Sequence, residues 1–127
     1  VPPVPTFEEA KAAKLSEINA TADKIIAAFV STYPDREIST FDKQEAEARA
    51  YMADPTAPTL LLSALAKARG LSMDELVKRV IAKADAFAAA SGYIIGQRQA
   101  LEDQLDTCKT LEEVQSIVVI IYPPKDM

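Results

Sequence analysis

Apolar residues return every three or four positions through most of this chain, and punctuation opens and closes nearly every such run. Leu15, Ile18, Ala22, Ile25 and Phe29 form one seam with heptad-like spacing. Thr6 and Glu9 stand ahead of it as a capping box, and Pro34 stands behind. The pattern predicts a helix from residue 6 to about Tyr33. A second, short helix is expected from Ser39 or Thr40, carrying Phe41, Ala48, Tyr51 and Met52 on one side until Asp54 and Pro55 stop it. Two prolines in the polar run 54–59 mark a turn. Residues 60 to 68 then make a brief helix closed by Gly70, since glycine takes the left-handed conformation cheaply.

Ser72 and Glu75 form a second capping box, after which the chain can stay helical to about Cys108, on the order of 50 Å at 1.5 Å per residue. Along it Val77, Val80, Ala84, Phe87, Ser91, Ile94, Arg98, Leu101, Leu105 and Cys108 alternate spacings of three and four without a slip. Thr110 and Glu113 form a third box before a terminal helix with Leu111, Val114, Ile117 and Val118. Residues 117–122 are β-branched except for the final tyrosine, so they fit either a helix end or an extended segment before Pro123 and Pro124.

Two of the three glycines, Gly92 and Gly96, fall inside the longest helix, where each costs roughly 1 kcal/mol relative to alanine. Being one turn apart they share a face, and close approach of another helix would offset the loss. A kink permitted by the paired small residues is one rival reading, and a phosphate-cradling loop is disfavoured, because no strand precedes the pair and no Gly-Lys-Ser/Thr follows it. Arg98 lies on the seam one turn beyond. A charge there needs a carboxylate or a wet edge, and Asp42, Glu45 and Glu47 are candidate partners.

Composition narrows the function. The chain has 127 residues, 49% hydrophobic but only 6% aromatic and without tryptophan, which suits close-packed helices in one domain. A formal charge of -5 argues against general affinity for nucleic acid or anionic membranes. Lys78, Arg79 and Lys83 alternate with Asp74, Glu75 and Asp85 and read as a solvated face. Histidine is absent, which removes Ser-His and Cys-His pairs and histidine zinc sites. Cys108 is the single cysteine and sits on an apolar stripe, where a thiol behaves as a small hydrophobe. Most of the paired carboxylates, such as Glu8 with Glu9 and Glu112 with Glu113, fall in first turns, where they complement the helix dipole. The opening residues 1–5 lack the charged and apolar regions of a secretory signal, so none is expected, and the longest strongly apolar run is far short of the ~20 residues that a membrane helix needs. The chain starts at Val1 without methionine, so a processed product or fragment with a proline-rich linker at residues 1–5 is expected.

The succession QEAEARAYMADPTAPT from Gln44 to Thr59, LLSALAKARG ending at Gly70, SGYIIGQRQALED from Ser91 to Asp103 and TLEEV from Thr110 to Val114 resembles a helical domain of bacteriophage and prophage tail-region proteins. The resemblance spans residues 10 to 118, with phenylalanine at 41 where tryptophan is expected. It implies a structural or assembly role in the tail or tail fibre, in the host cytoplasm or the virion, with no catalytic residues to carry over.

The expected fold is all-α. The first helix and the long one pack as an antiparallel hairpin, with the short helices added to it, in a single domain over residues 6–122 followed by a tail at 123–127. The expected function is a non-enzymatic module that acts through helix contacts at Gly92, Gly96, Ile94, Arg98 and Leu101. It needs no cofactor or metal, and its partner is a protein, either a second copy or another phage tail protein. A helical adaptor or chaperone that captures a partner's helix is the alternative.

Overall fold

The computed structural model describes residues 3–125, so the linker expected at 1–5 and the tail expected at 123–127 lie partly outside the described residues. Six helices follow in order among the described residues: α1 (Phe7–Val30), α2 (Asp35–Ile38), α3 (Phe41–Ala53), α4 (Leu60–Arg69), α5 (Met73–Thr107) and α6 (Leu111–Gln115). Among the described residues there is no strand, and the fold is all-α.

The start of α1 is the reciprocal box read from the sequence. The Glu9 amide donates to Thr6 Oγ1 at 3.1 Å, and the Thr6 amide donates to Glu9 Oε1 at 2.9 Å. The backbone bond from Thr6, and then its hydroxyl, hold the Glu9 carboxyl below its ordinary range. Asp54 is held low in the same way by the Thr56 amide and then the Thr56 hydroxyl, closing the turn after α3. Both groups have depressed folded values. Their contribution is therefore complete above the unfolded values, roughly 4.3 for Glu and 3.9 for Asp, and is lost as pH falls through the folded ones. Thr6→Ala removes the hydroxyl but keeps the backbone donor, so it is expected to move Glu9 only part of the way back toward the ordinary range, to be read by NMR titration of its carboxyl carbon. It should also lower the thermal midpoint at pH 7 more than at pH 3.

The end of α1 comes earlier than the expected Tyr33. Proline disfavours helical geometry in the residue before it, and the Tyr33 amide bonds back only three residues, to Val30 O at 3.0 Å. The short α2 was not anticipated from the sequence. Gly70 ends α4 as expected, with φ of 68° and the Leu71 amide on Ala66 O at 2.9 Å, five residues back. In the second box only one half forms. The Glu75 amide donates to Ser72 Oγ at 3.2 Å, while its carboxylate accepts from Arg79 at 2.9 Å instead of reaching back. In the third the Glu113 amide donates to Thr110 Oγ1 at 3.1 Å, and the Glu113 carboxylate accepts from the Lys109 amide.

The chain divides into two compact units. In the unit made of Val30–Ala89, α3, α4 and the first part of α5 share a core of Ala48, Leu62, Ala66, Leu76 and Val77. Met52, expected on the buried side of α3, is 63% exposed, and Glu47 takes a buried place instead. At one edge Lys83 Nζ lies 3.9 Å from the Tyr33 ring centroid, and that ring meets Phe41 edge to face.

The other unit combines the chain up to Phe29 with the chain from Ala90 onward. Its frame is an antiparallel pair of α1 and the second half of α5: Ala10 and Ile18 share a cluster with Leu105, and Ala22 shares one with Ile94. Val114 and Ile117 close the first cluster and Ile121 the second. The expected seam on α5 does slip. Asp85, Ala86, Phe87, Ala88 and Ala89 are all exposed, and buried positions resume at Ala90. The lapse falls where α5 passes from one unit to the other.

Candidate functional site

The five candidate residues on α5 separate onto two faces. Ile94 is fully buried between Ala22 and Ile121, and Leu101 packs against both clusters of the α1/α5 pair. Gly92 and Gly96 are exposed and lie about half a turn away, at 100° per residue. A Cβ added to either glycine meets no heavy atom within 4 Å, so no helix among the described residues packs on them. Close packing within the chain is therefore not what offsets the two glycines. Ala100 continues their stripe, and Tyr93 and Ile95, 50% and 39% exposed, flank it on opposite sides.

Arg98 is on the inner edge. Its Nη1 donates to Asn19 Oδ1 of α1 at 2.9 Å and to Glu102 Oε2 at 2.5 Å, with its side chain 24% exposed. The internal-pair reading of this arginine holds, but the partner lies one turn along its own helix. Asp42, Glu45 and Glu47 belong to the other unit, where Glu45 pairs with Arg49 at 2.8 Å and Glu47 holds the start of α4. With Asn19, Ala22, Asp23, Ile26 and Ile95, Arg98 lines a shallow depression of about 470 Å³. Its lining carries one cation and one carboxylate, Asp23, among apolar side chains, with no nucleophile beside a base. Among the described residues no group of three or more His, Cys, Asp or Glu side chains could hold a metal ion. No helix of the described residues is long and apolar enough to cross a membrane.

Sequence reasoning missed the contacts that secure the C-terminal segment. Lys14 Nζ donates to Ile117 O at 3.1 Å, and the Gln97 side-chain amide both donates to Tyr122 O and accepts from the Tyr122 amide, each at 2.9 Å. Each links residues far apart in sequence through a side chain of common type, and no periodicity signals it.

These features define an all-α protein built on a long antiparallel helix pair, with a small-residue face turned outward. The HI1402 helical domain matches residues 82–119, most of α5 together with α6. An uncharacterized protein of Haemophilus influenzae (strain ATCC 51907 / DSM 11121 / KW20 / Rd) is 44% identical over 57 residues, which is 45% of this chain and 84% of that protein. The chain belongs to the family of the HI1402 helical domain. No solved structure matches it.

Those matches overturn the resemblance to phage tail-region proteins, for neither carries a tail association. The motifs behind that resemblance include helix starts and an Asp-Pro stop, which helices of any family share for physical reasons. Their order alone does not single out one family, and the matched segment belongs to another.

Proposed function

We propose that the chain is a non-enzymatic docking module whose outward face at Gly92, Gly96 and Ala100 receives a helix from another protein or from a second copy. One observation carries the reading: two interior glycines face open space, although each weakens α5 by roughly 1 kcal/mol relative to alanine. Such a stripe lets a second backbone come close, and the gain is dense packing realised only in the complex. Tyr93 and Ile95 supply apolar walls on either side of the approach.

Substitution separates folding from docking. Gly92→Ala and Gly96→Ala are each expected to stabilise the isolated chain by about 0.5–1 kcal/mol in urea denaturation, because the new methyl enters empty space and helix propensity rises. Gly92→Leu should leave the fold intact while abolishing association. Light scattering after size-exclusion chromatography over a concentration series, with co-purification of bound proteins, reads the second effect. A Gly92→Leu variant that associates as the unaltered chain does would sink the proposal.

A further inference from the structure

Residues 117–122 lie on the α1/α5 pair as an extended peptide lies in a receptor. Ile117 and Ile121 are 8% and 7% exposed, whereas Val118, Ile120 and Tyr122 are 69%, 52% and 61% exposed. A period of two is that of an extended chain with one face down. No backbone–backbone hydrogen bond reaches residues 118–121 among the described residues. The segment is held at its ends by side chains, Lys14 on Ile117 O and the Gln97 amide on both polar groups of Tyr122. Peptide recognition has the same form: main chain gripped by placed donors and acceptors, alternate side chains in apolar pockets. Ile117 fills one pocket with Ile18 and Leu105, and Ile121 another with Ala22 and Ile94.

We infer that the groove between α1 and the second half of α5 is a binding site for an extended segment with isoleucines four apart, filled in the single chain by residues 117–122 and open to the same segment of a second copy. The fit specifies that occupant. A second copy brings both isoleucines at the same spacing and the same main-chain groups for Lys14 and Gln97. It also brings no charged side chain between Glu113 and Lys125 to oppose entry. Only two side chains of the stretch 117–122 are buried, so lifting the segment exposes far less than global unfolding does. The groove lies on the face of α5 opposite the glycine stripe, and the inference stands apart from the docking proposal.

The test uses the full chain and a fluorescent peptide of residues 113–125. Ile121→Asp weakens the resident segment while leaving every groove side chain in place. The peptide should bind this variant at least about tenfold more tightly than it binds the unaltered chain, by fluorescence anisotropy, because the resident segment competes from within the same molecule. A peptide bearing the same Ile121→Asp change should not bind. Tyr122→Pro removes the N–H that Gln97 accepts without touching the core, and replaces Ile121→Asp should that variant not fold by circular dichroism. Equal affinity for altered and unaltered chains, or no binding to a folded variant, overturns the inference.

Discussion

Ile18→Ala is expected to destabilise the protein by about 3 kcal/mol, within the roughly 2–5 kcal/mol range for truncating a fully buried aliphatic side chain. Ile18 has no exposed surface and lies at the middle of α1, facing Leu105, Val114 and Ile117. The contacts come from three separate stretches of chain, so no single neighbour can collapse into the space left behind. Urea denaturation followed by circular dichroism measures the loss as a shift of midpoint at unchanged slope. Val118→Ala, at a position 69% exposed on the outer side of the same unit, should change stability by less than about 0.5 kcal/mol. Equal effects at the two positions would show that the packing around Ile18 is not as described.

Glu47→Ala is expected to destabilise the chain by about 2 kcal/mol, through α4 and not through α3 where the residue resides. Thr59, at the N-cap of α4, makes no side-chain capping bond, and its hydroxyl pairs with Ser63 Oγ at 2.8 Å. The capping acceptor comes from another helix. Glu47 Oε1 accepts from the Leu62 amide at 2.9 Å, and Oε2 accepts from the Leu61 amide at 3.4 Å with Lys43 Nζ at 3.7 Å. Leu62 is fully buried, so without the carboxylate its amide loses its acceptor away from water, a penalty of about 1–3 kcal/mol. The negative charge also complements the helix N-terminus. Glu47→Gln retains an acceptor oxygen and should lose about half as much. Hydrogen exchange at Leu62 discriminates: it should accelerate in Glu47→Ala far more than at amides in the middle of α3.

Glu47 illustrates what sequence reading can and cannot reach. As one acidic residue among several on a short helix, it stands out in the sequence only as a candidate partner for Arg98. Its burial depends on where α4 begins relative to α3, which no local spacing encodes. Arg98 is a similar case. That it needed a carboxylate was legible from its place on the seam, but the choice of Glu102 and Asn19 depended on how α1 lies along α5. Phe87, counted in the α5 seam, is 43% exposed, because periodicity within one helix does not show where a partner stops covering it.

The helices themselves were legible where local chemistry governs. The Thr6 and Glu9 box, the Asp54 turn, the left-handed Gly70 and the Thr110 cap are each settled by bonds within about five residues, so their residue types alone predict them. The all-α class follows from the same local rules and from apolar spacing. Tertiary structure alone decided the rest. It set the division into two units, the outward orientation of Gly92 and Gly96, the cap that Glu47 provides, and the extended course of residues 117–122. Those outcomes depend on contacts between stretches distant in sequence, where side chains such as Lys14 and Gln97 meet backbone 103 and 25 residues away.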